Sequence, residues 1–344
     1  MALKHRMFNL EGTRIHAVEE GEGPLVVLIH GFPESWYSWR HQLPALAAAG
    51  YKAVAIDKRG YGRSSKFRKQ EAYRIGPLVD DIANLIKAYG EESAVVIGHD
   101  WGAPIAWTFA WTRPEMCRGV VGISVPFAGR GLVGYPGSPF GEVRPKDYYK
   151  VLAGPGKTFY KAYFSAQDAI IREVEEDLRG WLLGLMYTVS GDAGALMPPP
   201  PAEMTPLEMI QNSPVAIPDG ARMSDAFVVP EKMPAWLSEA DLDFYVGEFE
   251  RSGFSGPLSY YHNMDASWSD LAAQADKPLT PPSLFIGGQY DVGTLWGMEA
   301  IERAEERMTD LRGKTILEGS GHWVQQEKPE QTNALILDFL AGLD

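Results

Sequence analysis

The segment "VIGHDWGAP", Val96 to Pro104, decides the fold. Its first residues end the apolar run "SAVVIGH" (Ser93–His99), which is typical of a buried β-strand, and "PIAWTFAW" after it has helical character. Gly98 and Gly102 stand two positions on either side of Asp100. Small residues there leave room for a tight strand-to-helix turn of the kind that presents a catalytic nucleophile. An aspartate can instead cap the following helix, so the companions of this turn must decide.

Short apolar runs alternate with helical segments over much of the chain. These runs are β-branched, nearly continuous in apolarity and bounded by Gly or Pro, as parallel strands covered on both faces should be. Strands are predicted over Pro24–His30, Tyr51–Asp57, Ser93–His99, Gly119–Val125, Pro282–Gly288 and Lys314–Gly319. A hairpin that turns at Glu11-Gly12 precedes them, and residues 78 to 89 carry apolar side chains at helical spacing. The pattern predicts an α/β fold with a mostly parallel sheet and an antiparallel start.

The alternation stops after the fourth core strand and resumes only near the C-terminus. Between these points lie Gly/Pro-rich connectors, helix-like segments and a Pro/Met stretch, Met197–Pro206, that should be a loop. We therefore predict a core domain of residues 1–127 and 272–344, with an inserted, mainly helical cap domain of residues 128–271. Inserted near the C-terminal ends of the strands, such a cap would act as a lid over a site.

The composition excludes some classes of partner. The chain has 32 Lys and Arg against 45 Asp and Glu, a net charge of −13, which opposes binding to the phosphate backbone of nucleic acids. Cys117 is the single cysteine, so no internal disulfide is expected and a reducing compartment fits. No apolar run approaches the roughly 18 residues of a membrane span, and no signal peptide is apparent. These features predict a cytoplasmic protein without a membrane span; a homodimer is possible, but no pattern supports one.

No cofactor and no metal are predicted. "GRGLVG" (Gly129–Gly134) has the spacing of a dinucleotide-binding turn, but the "YPGSPFG" that follows cannot begin the required helix. "GPGKT" (Gly154–Thr158) resembles a phosphate loop without its first glycine and without a preceding strand. No cluster has metal-ligand spacing.

Two further residues complete a catalytic order with Asp100. Asp291 follows the predicted strand in "LFIGGQYDVGT", and His322 follows the last strand in the Gly-rich "EGSGHW". Nucleophile, acid and histidine thus come in the order of a hydrolase triad, each at the C-terminal end of a strand. Taken alone, Asp291 could begin a turn and His322 could be structural. The backbone N–H groups of Phe32 and Trp101 are the predicted oxyanion hole.

Motifs along nearly the whole chain, cap included, carry a family resemblance. "HGFPESWYSWR", "AIDKRGYGRSS", "GHDWGAPIAW", "GGQYDVG" and "GHWVQQEKPE" resemble bacterial soluble epoxide hydrolases of the α/β-hydrolase fold. The resemblance implies an aspartate nucleophile, histidine-assisted hydrolysis in two steps, and two cap tyrosines that donate protons. It assigns these roles to Tyr163 in "FYKAYFSAQD" and Tyr261 in "GPLSYYHNM", whose neighbours Tyr160 and Tyr260 are the alternatives.

A carboxylate suits an electrophile that has no carbonyl group. The ring carbon of an epoxide is saturated and must be attacked from behind, and an aspartate with an ordinary pKa near ~3.9 is already ionised at neutral pH. The resulting ester on Asp100 can be hydrolysed by water that His322, oriented by Asp291, activates. The expected reaction is hydrolysis of a lipophilic epoxide to a vicinal diol, with water as the second substrate.

Two other functions fit parts of the pattern. A haloalkane dehalogenase shares the fold, the aspartate and the base, but it must hold a halide with side-chain N–H donors. Trp101 could supply one such donor, whereas Phe32 has none. A binding protein without catalysis on the same fold is the second alternative, since a fold alone does not define a function. Chloride release would indicate the first alternative, and binding of an epoxide without diol formation would indicate the second.

Overall fold

The computed structural model describes residues 3–198, 201 and 203–343. Eight strands of this part of the chain form one sheet, and two short ones form a separate pair. The strands are β1 (Lys4–Leu10), β2 (Thr13–Glu20), β3 (Leu25–Ile29), β4 (Lys52–Asp57), β5 (Ala94–His99), β6 (Cys117–Ile123), β7 (Lys157–Phe159), β8 (Ala216–Pro218), β9 (Ser283–Gly288) and β10 (Leu311–Leu317). The order in the large sheet is β1-β2-β4-β3-β5-β6-β9-β10.

The pairing of the strands confirms the predicted sheet. β1 and β2 form an antiparallel hairpin, and β2 also pairs antiparallel with β4. The remaining neighbours in the large sheet, in the order β4-β3-β5-β6-β9-β10, all pair in parallel. β10 differs from the expectation of burial on both faces: it is the edge strand, and its side chains alternate between partial and full exposure. Lys314 and Ile316 lie on its more exposed side.

The helices divide between the two ends of the chain and the segment that joins β6 to β9. They are α1 (Gln42–Ala48), α2 (Ile75–Ala88), α3 (Gly102–Thr112), α4 (Pro145–Ala153), α5 (Tyr160–Ala166), α6 (Asp168–Glu176), α7 (Leu178–Thr188), α8 (Gly191–Leu196), α9 (Pro206–Gln211), α10 (Glu239–Ser252), α11 (Ser255–His262), α12 (Met264–Asp270), α13 (Val292–Trp296), α14 (Met298–Glu302), α15 (Val324–Glu327) and α16 (Pro329–Ala341). In the described part of the chain, no helix combines the length and the apolar character needed to cross a membrane.

Helices α4 to α12 follow β6 and precede β9, as a mainly helical insertion requires. The pair β7–β8 within this segment was not predicted from the sequence. Of the predicted Pro/Met loop between α8 and α9, Pro199, Pro200 and Ala202 lie outside the described residues. The division into a core of 1–127 and 272–344 and a cap of 128–271 stays a prediction.

Apolar side chains cover both faces of the large sheet. Val27 and Val96 belong to a core that extends through α2 and α3 into the helices between β6 and β9. Val26 and Ile97, one position away in β3 and β5, belong to a second core with α1 and α16. Because successive strand residues point to opposite faces, these continuous apolar runs bury both sides. The C-terminal ends of β5, β9 and β10 are thereby held on a rigid sheet.

Candidate active site

Asp100 lies in a tight turn between β5 and α3. Its φ is +47°, in the left-handed region that a residue with a side chain seldom adopts. A Cβ on Gly98 would lie 2.0 Å from the carbonyl oxygen of Gly102, and a Cβ on Gly102 would lie 1.9 Å from that of Ile29. Glycine at both positions therefore makes the turn possible, and the surrounding backbone holds Asp100 in a strained conformation of the kind found at functional sites.

The carboxylate of Asp100 interacts with both predicted oxyanion donors. The backbone N–H of Phe32 donates to Oδ1 over 2.7 Å, and the backbone N–H of Trp101 helps to lower the pKa of the carboxyl. The N-cap residue of α3 is Trp101 and not Asp100. The alternative that Asp100 serves as a helix cap therefore does not describe its contacts.

His322 stands between the two acidic residues. Its Nδ1 lies 2.7 Å from Oδ1 of Asp291, and its Nε2 lies 3.6 Å from Oδ2 of Asp100. Nδ1 also lies 3.1 Å from Oγ of Ser124. The imidazole therefore has its Nδ1 edge held by Asp291 and its Nε2 edge turned toward Asp100.

Asp291 is fully buried, and it accepts further hydrogen bonds besides its contact with His322. It is the N-cap of α13, where its carboxylate accepts from the backbone N–H groups of Gly293 and Thr294. The hydroxyl of Thr294 also donates to it, over 2.8 Å. Helix capping and orientation of His322 are thus both done by one carboxylate, so the two interpretations of this residue are compatible.

The surroundings of Asp100 and His322 favour the charged form of both side chains. Burial opposes ionisation of Asp100, but the nearby positive charge of His322 outweighs it and holds the pKa of the carboxyl well below its usual range. Burial likewise opposes charging of His322, and Asp291 and Asp100 together raise the pKa of the imidazole well above its ordinary value. In the free protein the nucleophile candidate is therefore an anion beside a histidine that holds a proton.

Two supporting residues, Glu34 and His99, were not predicted. Glu34 accepts from the backbone N–H of Gly31 over 2.6 Å, and its carboxylate lies 2.8 Å from Nδ1 of His99. Nε2 of His99 in turn lies 2.7 Å from the backbone oxygen of His322. The pair ties the loop of Phe32 to the loop of His322. The sequence signals were present, since Glu34 lies in "HGFPE" and His99 directly precedes Asp100.

The cap tyrosines are where the structure differs from the sequence-based assignment. Tyr160 and Tyr261 line two recesses that both include Asp100 and His322. The rings of Tyr160 and Tyr261 lie 6.1 Å apart, and Tyr261 packs edge-on against Trp101 at 5.3 Å. Burial raises the pKa of both phenols well above the ordinary value, so both stay protonated at neutral pH. Tyr261 thus lies where the resemblance placed it.

Tyr163 does not lie at this site. Its hydroxyl donates over 2.6 Å to Glu173 of α6, and it lines a polar cleft with Arg172 and Arg222. The neighbouring Tyr160, at the start of α5, takes the position beside Asp100. Tyr163 differs because Glu173 of α6 accepts a hydrogen bond from its hydroxyl and holds that hydroxyl away from the cavity. Tyr260, the other alternative, donates to the backbone oxygen of Arg59 and is buried.

The walls around Asp100 are mainly apolar. One recess extends past Val133, Lys161 and Trp296. The other extends past Phe164, Leu185, Val189, Val215, Met223 and Trp323. A pocket of this composition buries a lipophilic molecule and leaves few polar groups to orient it.

The sheet order, the strained turn and the Asp–His–Asp arrangement define an enzyme of the α/β-hydrolase class. A family model described as "alpha/beta hydrolase fold" matches residues 24–165. Epoxide hydrolase B of Mycobacterium tuberculosis is 63% identical, with 100% of this chain and 99% of that protein covered. Epoxide hydrolase A of the same organism is 37% identical, with 98% of each covered.

A solved structure agrees with these relatives. An epoxide hydrolase from an endophytic Streptomyces superposes with a TM-score of 0.89 at 47% identity, over 99% of this chain and 96% of that one. The chain belongs to the epoxide hydrolases.

Proposed function

We propose that this enzyme opens an epoxide to a vicinal diol through a covalent ester on Asp100. The carboxylate oxygen attacks one ring carbon from behind, the carbon–oxygen bond of the ring breaks, and the ring oxygen leaves as a hydroxyl after accepting a proton. The observation that carries the proposal is the ionised Asp100, buried in a strained turn with His322 Nε2 3.6 Å from its Oδ2. An anion of this kind needs no base for the first step.

The second step hydrolyses the ester. The proton that His322 holds in the free protein first restores the hydroxyl of the tyrosine that protonated the ring oxygen, which leaves the imidazole neutral. His322 then takes a proton from water, and the water oxygen attacks the carboxyl carbon of Asp100. The bond from this carbon to the diol oxygen breaks, the diol oxygen takes the remaining proton of the attacking water, and the diol leaves with one oxygen from Asp100 while the carboxylate is restored. Charge that develops on the other Asp100 oxygen is stabilised by the N–H groups of Phe32, which already donates to the carboxylate, and Trp101, which follows Asp100 directly. Asp291 orients His322 and stabilises its protonated form.

Tyr160 and Tyr261 are the proposed proton donors for the leaving ring oxygen. An alkoxide is strongly basic, so a donor is needed in the first step, and both phenols carry their protons at neutral pH because burial raises their pKa. Tyr160 replaces the earlier candidate Tyr163, whose hydroxyl is bound to Glu173. The apolar recesses support lipophilic epoxides as the substrate class.

Isotope labelling in a single turnover tests the proposal. In water enriched in heavy oxygen, with enzyme in excess over an aryl or alkyl epoxide, the label is expected on Asp100 and not in the first diol formed. Label found directly in the diol, with Asp100 unlabelled, would contradict the ester mechanism. Stoichiometric chloride from chloroalkanes, without diol from epoxides, would indicate a dehalogenase instead.

A further inference from the structure

Lys161 places an amine in the wall of the active-site cavity. It follows Tyr160 in α5 and lines the recess that also includes Asp100 and Trp296. Only 2% of the residue is exposed. Among the described residues that line this recess, it is the one lysine or arginine. Lysine is rarely buried to this extent unless it is paired, because an ammonium group loses its hydration there.

The amine of Lys161 lies near two aromatic rings. Nζ lies 5.2 Å from the ring centre of Tyr135 and 5.7 Å from that of Tyr160, at cation–π distances. Burial lowers the pKa of the amine to about 7, and the negative charge of Asp100 acts in the opposite direction. The Tyr135 hydroxyl is also buried, and it has no hydrogen-bond partner among the described residues.

We propose that Lys161 forms an anion subsite, and that the enzyme prefers epoxides whose substituent carries a carboxylate into this recess. The inference rests on the proposed epoxide hydrolysis and names its substrate class. Asp100 attacks the ring carbon, and the carboxylate of the substrate binds the ammonium of Lys161 on the far side of the ring. The subsite determines specificity and takes no part in bond breaking.

A carboxylate and a neutral group differ in what they do for this amine. A carboxylate gives Lys161 a charge-assisted hydrogen bond, whereas an alkyl chain leaves a buried ammonium facing apolar atoms or forces it to lose its proton. A carboxylate placed too near Asp100 would be repelled, so one spacing between ring and carboxylate should be favoured. We expect the acid to exceed its neutral analogue by about 10- to 100-fold in kcat/KM at that spacing.

The unmodified enzyme provides the first test. A series of terminal epoxy acids with one to six methylene groups between ring and carboxylate is compared with the primary amides of the same lengths. Amides keep the size and one acceptor oxygen, replace the other oxygen by an NH2 donor, and remove the charge. The expected result is a preference for the acid that peaks at one chain length and lies mainly in KM. Amides that equal or exceed the acids at every length would overturn the subsite.

Substitutions test whether Lys161 causes the preference for the acid over the amide. Lys161→Met removes the charge at nearly the same length, Lys161→Gln keeps a neutral donor, and Lys150→Met makes the same charge change at an exposed position of α4. The acid-to-amide ratio should fall about 10-fold or more in both Lys161 variants and stay unchanged in the control. An unchanged ratio in a folded Lys161→Met or Lys161→Gln would refute the assignment. If neither variant folds, the result of the first test decides.

The outcomes also separate this inference from the proposed function. Diol from the amides without a preference for the acids overturns the anion subsite alone. No diol from any acid, amide, aryl or alkyl epoxide overturns both.

Discussion

Nε2 of His322 lies 3.6 Å from Oδ2 of Asp100. This separation exceeds that of a hydrogen bond between nitrogen and oxygen, so the two groups form an ion pair without sharing a proton. The arrangement leaves Asp100 free to attack carbon, and it leaves Nε2 next to the carboxyl carbon that water must later reach.

Replacement of the base should therefore separate the two chemical steps. His322→Gln is expected to form the Asp100 ester and then stop, with steady-state diol formation reduced by roughly 10²- to 10⁴-fold, because the water loses its general base. Intact-mass spectrometry should show a mass increase equal to that of the substrate. His262→Gln, at an exposed histidine, is the matched control and should show no accumulation. Unimpaired turnover in His322→Gln would exclude the assigned role.

The pH dependence of the wild type should show the same separation. Asp100 is ionised and the buried tyrosines are protonated throughout the neutral range, so ester formation should change little between about pH 6 and 8. Hydrolysis of the ester needs neutral His322. Asp100 has no charge in the ester, but Asp291 still favours the protonated imidazole, so this step slows as the pH falls. The ester fraction at steady state, measured by mass after acid quench, should therefore increase toward low pH. An ester fraction that decreases as the pH is lowered would refute this prediction.

Two tyrosines three positions apart in α5 should behave differently. Tyr160→Phe is expected to slow single-turnover ester formation by about 10-fold or more, because the leaving oxygen loses one of two donors. Tyr163→Phe removes a hydroxyl that binds Glu173 and should leave the rate of ester formation nearly unchanged. The double change Tyr160→Phe with Tyr261→Phe should be slower than either alone. A larger effect from Tyr163→Phe than from Tyr160→Phe would restore the assignment made from the sequence.

Tyr160 and Tyr163 also show which features of the site can be predicted from the sequence and which cannot. The sheet could be predicted because its buried strands each have a local pattern of apolar residues. Asp100, Asp291 and His322 could be predicted because each follows the C-terminal end of a strand. Tyr160 and Tyr163 both lie toward one side of the same helix, so periodicity does not distinguish them. The choice depends on Glu173, which lies in another helix. The contact of Glu34 with His99 is hidden for the same reason, since it joins residues 65 positions apart.

Asp291 both caps α13 and holds His322, so two substitutions at this position should differ in their effects on catalysis and on stability. Asp291→Asn keeps an oxygen that can accept from the α13 backbone but no longer holds His322 in the required state, so ester hydrolysis should fall on the order of 10³- to 10⁴-fold. Asp291→Ala also loses the cap, which should cost about 1 kcal/mol more in the free energy of unfolding. Single-turnover kinetics and urea denaturation measure the two effects. Equal stability of both variants would show that the cap contributes little.

Glu34 provides a test in which stability and pH are linked. Burial raises the pKa of its carboxyl, but the charge and hydrogen bond of His99 outweigh burial and lower it overall. A depressed pKa means that this contribution to stability is present above the unfolded value of about 4.3 and is lost as the pH falls through the folded value. Glu34→Gln should thus cost about 3 kcal/mol in unfolding free energy at pH 7, because a buried pair is broken.

The difference in unfolding free energy between wild type and Glu34→Gln should shrink as urea titrations move below pH 4. Glu176→Gln, which breaks an exposed ion pair with Arg222, is the control and should show a much smaller difference at pH 7. Since His99 also holds the backbone of His322, Glu34→Gln should slow ester hydrolysis more than ester formation. A stability difference that stays constant from pH 7 to pH 3 would mean that the Glu34 charge does not stabilise the loops of Phe32 and His322.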